Sequence, residues 1–332
     1  MDTTPRLERS SSATRPGGVL ARMWQASPAL TAAGGLMIVA AAASVVGLVA
    51  DPRTITGAPA WLKPLKFAVS TAVYSLTLAW IFTYLPDRPR VRRAVGWTTA
   101  IVFVVEVAII DAQVLRGTTS HFNGATGLDR TLYFVMGAAI LVQTIVSAAA
   151  AVALWRQRFT DRALGWALRF GMALTIIGAM TGPLMTRPTP EQLASLRAGG
   201  QMTIVGAHTV GGPDGGSGMP VTGWSREHGD LRVPHFLGLH ALQALALVAV
   251  ALRRWRRPES ARVKAVLVGT ASYAALFGLL LWQALRGQSL ASPDATALAS
   301  LGAWAVLTLG GVAAIAAGSP RQPHNGSTEV TA

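Results

Sequence analysis

The sequence predicts an all-α protein: a polytopic membrane helix bundle of about eight transmembrane helices, arranged as two tandem four-helix repeats. Three observations carry that expectation. Eight apolar stretches of at least 20 residues recur along the 332-residue chain, each long enough for a helix to cross a hydrocarbon core of about 30 Å. Only 13% of the residues are charged against 51% hydrophobic, where a soluble domain carries about a quarter charged. Arginines gather in short blocks between the apolar stretches, at Arg88, Arg90, Arg92 and Arg93 and again at Arg253, Arg254, Arg256 and Arg257.

The spans are read at 28–50, 65–85, 94–115, 131–154, 163–185, 233–252, 263–285 and 296–317. Each run is continuously apolar rather than alternating, which selects helices over strands. Pro and Gly fall mostly between the runs, as at Pro86, Pro89, Pro258 and Pro293. The first run follows a basic leader but is too long for a typical cleaved signal, so a retained anchor is expected. The predicted organisation is a cytoplasmic N-terminal tail (1–27), a first four-helix unit (28–160), a second unit (161–318) and a disordered C-terminal tail (319–332).

Assigning every Lys and Arg to its nearer side places 19 of the 29 on the side of the N-terminus. Positive residues stay cytoplasmic, so both termini are expected in the cytoplasm. The 26 Arg against three Lys, with abundant Ala, hint at a GC-rich bacterial genome and hence at the bacterial plasma (inner) membrane. The net charge of +14 lies in topology blocks facing anionic lipid, so the bilayer is the expected partner and nucleic acid is not. With no Cys, disulfides, thiolate metal sites and cysteine nucleophiles are excluded.

Two segments match at an offset of 170 residues. Gln113-Val114-Leu115-Arg116-Gly117 closes the third span and Gln283-Ala284-Leu285-Arg286-Gly287 the seventh, while Pro64 and Pro234 open the second and sixth. Spans two to four therefore map onto six to eight without gaps. One and five correspond if the loop after five is an insertion. This is the pattern of a parallel repeat about an axis along the membrane normal, with chance matching among Ala- and Leu-rich helices as the competing reading.

The unusual residues collect on the outer side, where five of the six His lie: His121, His208, His228, His235 and His240. Glu106 sits nine residues below Leu115, about 13 Å at the helical rise, and Gln113 shares its face. An ionisable group at that depth is by default a functional candidate, and a protonated Glu bonded to a neighbouring helix is the alternative. His240 and Gln243 lie one turn apart in the sixth span. At the repeat offset His240 corresponds to Ser70 on a polar stripe of Lys66, Ser70, Tyr74 and Thr77. An interhelical hydrogen bond would also explain His240, and Lys66 could snorkel to the interface. The candidate ligand-binding set is Lys66, Glu106, Gln113, Arg116, Asp230, Arg232, His240 and Gln243. His208, His235 and His240 are candidate metal ligands.

The loop 186–233 has 48 residues, far more than a connection needs. Two β-capable runs, 203–210 and one ending near Trp224, flank a Gly-rich turn at 211–216 and predict a hairpin within a partly ordered lid. Gly178 and Gly182 form a small-xxx-small pair that reads as close helix packing.

Ala60-Trp61-Leu62-Lys63-Pro64-Leu65-Lys66-Phe67, His208-Thr209-Val210-Gly211 and the run from Gly229 to Gln243 resemble an uncharacterised family of bacterial polytopic membrane proteins, over most of the chain. That resemblance implies no activity. The tandem four-helix plan also resembles haem A synthase in architecture. Spans two, four and eight contain no His, so the paired intramembrane haem ligands of that plan are missing.

Three functions stay open. The first is binding or transport of a small solute through an outward pocket between the two units, with Glu106 as the proton-linked group and Lys66 and His240 touching solute. The second is a membrane enzyme with a His-ligated metal or haem on the outer side, although no HExxH, nucleotide loop or nucleophile elbow is present. The third is a structural or accessory membrane subunit. The cofactor, if any, and the oligomeric state are not specified by the sequence.

Overall fold

A computed structural model describes residues 17–216 and 218–318. Ser27 accepts a hydrogen bond from the Leu30 amide and Pro28 takes the first helical position. That signal starts a long apolar helix directly after a short amphipathic one. The elements in order are α1 (Val19–Ala26), α2 (Pro28–Ala50), β1 (Thr54–Ile55), β2 (Ala58–Pro59), α3 (Leu62–Phe82), α4 (Pro89–Leu115) and α5 (Gly127–Arg156). They continue with α6 (Arg162–Ala179), α7 (Gly182–Met185), α8 (Pro190–Arg197), β3 (Thr209–Val210), β4 (Gly229–Asp230), α9 (Arg232–Leu239), α10 (Ala241–Leu252), α11 (Glu259–Leu285) and α12 (Ala295–Ala317).

The chain is an all-α polytopic membrane bundle. Among the described residues, seven helical segments are long and apolar enough to cross a membrane, and the pair α9–α10, bent by 46° at His240, makes an eighth. The exposed surface agrees, since α12 presents Val306, Leu307 and Leu309 outward and α2 presents Val39, Val46 and Val49. Such apolar faces need lipid around them.

Three boundaries differ from the sequence expectation. Residues 19–26 of the expected tail form α1, which packs on α2 and α3 and buries Met23. The fifth span ends at Ala179 rather than near 185 because Gly182 and Pro183 start a separate turn of helix. The sixth is broken, with His240 closing α9 and opening α10. The 319–332 tail, with His324, lies outside the described residues.

Within 28–160, α2 packs against α3 and α4, and α4 against α3 and α5. Within 161–318, α6 packs against α9–α10 and α11, and α11 against α9–α10 and α12. The halves meet through α5 and α6 and through a core of Leu30, Leu78, Phe82, Leu85, Leu154, Leu164, Leu168, Met172, Leu242 and Leu245. At the crossing of α6 and α9, a Cβ on Gly178 would fall on the backbone of Gly238. Only a side-chain-free pair lets the two helices approach so closely.

The matching Gln-x-Leu-Arg-Gly segments have a local cause. Gly117 and Gly287 both adopt φ +73°, the left-handed stop that a side chain disfavours. The Gly117 amide donates to Val114 O and the Thr118 amide to Gln113 O, and Gly287 and Gln288 do the same to Ala284 and Gln283. Both helices thus end in a Schellman cap.

Candidate functional site

The stretch 116–126 after α4 folds back into the bundle instead of leading away from it. Phe122 holds φ +60°, a conformation rarely adopted by a bulky residue. Its carbonyl accepts from the Val205 amide at 2.9 Å, and the Gly124 amide donates to Thr203 O at 2.8 Å. Pinned by the long loop on both sides, this turn drives His121 inward.

His121 Nε2 then lies 3.6 Å from Glu106 Oε1. On the other side of the ring, Lys63 Nζ stands 3.0 Å and Ser120 Oγ 3.1 Å from Nδ1. An ammonium can only donate, so Nδ1 accepts and the neutral ring carries its proton on Nε2, directed towards Glu106. Burial holds the His121 pKa well below its ordinary value, with Lys63, His208 and His235 adding repulsion. Phe67, Phe122 and Tyr133 surround the ring at 5.5, 6.4 and 6.4 Å between centroids.

Below this group the polar lining continues. Tyr74 Oη is 3.2 Å from Ser147 Oγ, and Gln143 Nε2 donates to the same hydroxyl at 3.2 Å. Helical spacing explains the alignment: Lys63, Phe67 and Tyr74 on α3, Phe103 and Glu106 on α4, and Tyr133, Gln143 and Ser147 on α5 each recur at three- or four-residue steps. Three polar atoms along this column, Glu106 Oε2, Tyr133 Oη and Gln143 Oε1, are buried without a hydrogen-bond partner.

The sequence-derived candidates separate into four groups. Glu106 joins Lys63 and His121, neither of which was in the candidate set. Gln113 Nε2 donates to Asp129 Oδ1 at 2.9 Å and Arg116 Nη1 to the same atom at 2.7 Å, with Arg116 also bonded to Gln113 Oε1. These residues clasp the start of α5. Lys66 Nζ donates to Thr222 O at 3.1 Å, while Arg232 bonds Asp230 and donates to Gly223 O at 2.7 Å. The Asp230 carboxylate also accepts from the Ser225 amide at 2.8 Å. This second group clamps the long loop. His240 sits at the helix break with its ring 4.4 Å from Phe236, and both amide atoms of Gln243 are buried without a partner.

The three candidate metal ligands are engaged separately. His208 Nδ1 is 3.0 Å from Asp214 Oδ2, and His235 Nδ1 is 2.9 Å from Thr181 Oγ1 and 3.0 Å from Gly178 O. Among the described residues, no three His, Asp or Glu side chains form a metal-holding group.

The loop 186–233 is ordered by backbone pairing, with one correction. The strand at 209–210 pairs with 229–230 rather than with the run near Trp224, where Gly218 and Ser225 form their own isolated bridge. The partner changed because Asp214 ends the turn early. Its carboxylate accepts from the His208 and Thr209 amides at 2.9 and 2.8 Å, an Asx-type closure. His208 packs edge-on against Phe122 with centroids 4.8 Å apart, next to His121.

Fold and site together define a multi-pass membrane protein with an ionisable group inside one end of its helix bundle. No protein-family model, curated protein or solved structure matches this chain.

Proposed function

We propose that the protein binds or moves a small polar solute from the extracytoplasmic side in a proton-linked step, at a site inside the first four-helix unit. One observation carries this reading: Glu106 is 2% exposed, keeps Oε2 without a partner, and faces the Nε2 of a neutral His121 at 3.6 Å. A carboxyl group so placed exchanges its proton through the imidazole, and Lys63 supplies the positive charge that balances it when ionised. The loop 186–233 closes over this end. Relative to a pocket between the two units, the site moves towards α3, α4 and α5, where the unpartnered atoms lie.

The same reading takes 28–160 and 161–318 as a duplicated unit, supported by the matching neighbour pattern and the two Schellman caps. It places the Arg-rich ends in the cytoplasm of a bacterial inner membrane, supported by the Lys and Arg count. A purely structural role has its own support, since Gln113, Arg116, Lys66, Asp230 and Arg232 are all consumed by contacts within the chain.

Infrared difference spectroscopy on the reconstituted protein separates the two. Stepping the external pH should produce a protonated-carboxyl band that disappears in Glu106→Gln, and His121→Ala should slow its appearance at least tenfold. A pH-invariant Glu106, or a His121→Ala response equal to the native one, would leave the polar column as packing alone.

A further inference from the structure

At the opposite end of the bundle from Glu106, the α5–α6 connection encloses a cavity of about 450 Å³ lined by Trp155, Arg156, Arg158, Phe159, Trp166 and Arg169, with Arg162 at its edge. Its charge is not neutralised from within. Each nearby acid is already engaged: Asp161 Oδ2 accepts from Arg253 Nε at 2.9 Å, and Glu259 Oε1 from the Arg162 amide at 2.9 Å. Among the described residues, the guanidinium groups of Arg156, Arg158 and Arg162 form no ion pair, and all three residues are exposed.

Arg169 plays a different part. Its Nε donates to Leu154 O at 3.1 Å and its Nη2 to Gln157 O at 2.7 Å, so it holds the end of α5. The rings of Phe159 and Trp166 lie 5.4 and 5.1 Å from its guanidinium carbon. The cavity floor is therefore fixed, cationic and aromatic while its rim carries three free guanidinium groups. A topology block needs only charge. Here the charge surrounds a shaped recess, whereas Arg253 is paired and Arg257 lies over Trp255.

We propose that this recess binds a phosphate ester, the headgroup phosphate of an anionic glycerophospholipid, with Arg156, Arg158 and Arg162 as its ligands. Guanidinium forks match phosphate oxygens two at a time, and basic recesses at the membrane surface select such headgroups. The lipid source is favoured by what adjoins the recess. Trp155 is exposed, as are Val152 and Ile145 further along α5, giving acyl chains an apolar face continuous with the cavity. This site does not depend on the proton-linked reading of the other end.

The full-length protein in neutral detergent, titrated with short-chain phosphatidylglycerol and followed by tryptophan fluorescence, tests the proposal through Trp155 and Trp166. Saturable binding is expected, with short-chain phosphatidylcholine much weaker and glycerol phosphate competing. Removing rim charge as Arg156→Gln, Arg158→Gln and Arg162→Gln should weaken binding about fivefold each, on the order of 1 kcal/mol per arginine. Arg88→Gln with Arg90→Gln and Arg93→Gln, an equal loss of charge elsewhere on that face, should leave binding within twofold. Glycerol phosphate binding as tightly as the lipid would keep the phosphate site and assign it to a soluble ester. Equal affinity for both lipids, or a folded rim-triple variant that titrates like the native chain, would overturn it.

Discussion

Glu106 in α4 and Leu276 in α11 stand at corresponding places in two helices that close with the same Gln-x-Leu-Arg-Gly segment. The contrast extends to the neighbouring helices. At the 170-residue offset, Lys63 becomes Val233, Tyr74 becomes Ala244, His121 becomes Ala291, Gln143 becomes Ala313 and Ser147 becomes Ala317. The helix ends are alike and the interiors are opposite in polarity. A helix end has to stop the chain in either half, so Gly117 and Gly287 do the same task. An interior has to exclude unpaired charge unless something uses it, and only the first half carries that burden. The first unit therefore holds the candidate site and the second its apolar counterpart.

Exchanging the two interiors should give the largest effect. Leu276→Glu places a carboxylate in a helix whose neighbours offer neither a Lys nor a His at the matching positions, and should destabilise the protein by about 3 kcal/mol. Glu106→Leu alone leaves Lys63 and His121 without their acid and should also destabilise. The pair Glu106→Leu with Lys63→Val reproduces the second unit and should recover the single variant's loss by about 1–4 kcal/mol. Equilibrium unfolding in mixed detergent micelles measures all three. A double variant no more stable than Glu106→Leu would mean that the two side chains are not coupled through His121.

Acid should act next, and only on one end. His121 is held neutral by burial, and His208 is shifted the same way because burial outweighs the favourable Asp214 contact. A histidine whose folded pKa lies below the unfolded 6.5 binds fewer protons when folded, so its contribution is complete above pH 6.5 and declines as the pH falls below it. The decline cannot exceed about 1.4 kcal/mol per pH unit for each proton. Hydrogen exchange at 120–126 and 203–210 should therefore quicken between pH 6.5 and about 5, after correction for intrinsic rates, while α11 and α12 are unchanged. Uniform acceleration across both halves would remove the distinction.

What the sequence revealed and what it hid follow from the range of the forces involved. Continuous apolar runs located the spans, because a lipid-facing helix must be apolar along its whole length. The break at His240 left no such trace: Pro234 and Gly238 lie inside α9, and the bend arises where Gly238 meets Gly178 on another helix. Glu106 was legible as a rare deep charge. His121 was not, because it reaches Glu106 only when 116–126 turns inward, and that turn depends on Thr203 and Val205, about 80 residues on. No periodicity records such a contact. Arg116 and Arg232 looked like ligand-binding cations for the same reason. Their carboxylate partners were visible in the sequence, but the pairing was not.

The smallest expected difference lies where the halves are most alike. Arg116 bonds Asp129 at 2.7 Å and Arg286 bonds Asp294 at 2.6 Å, each joining the cap of one helix to the start of the next. The acids differ in burial: the Asp129 side chain is 4% exposed and that of Asp294 38%. Asp129 is also held by Thr126 Oγ1 at 2.6 Å and by Gln113, so losing Arg116 leaves a buried carboxylate among neutral donors. Water can replace Arg286 on Asp294, and exposed pairs of that kind contribute little. Arg116→Ala should cost on the order of 1 kcal/mol, and Arg286→Ala should fall within the error of the same unfolding measurement. Raising the salt concentration should leave the Arg116 effect largely intact, because buried charges are screened less than exposed ones. Equal losses for the two substitutions would show that the shared cap motif, rather than the burial of its acid, decides how firmly each third helix is tied to the fourth.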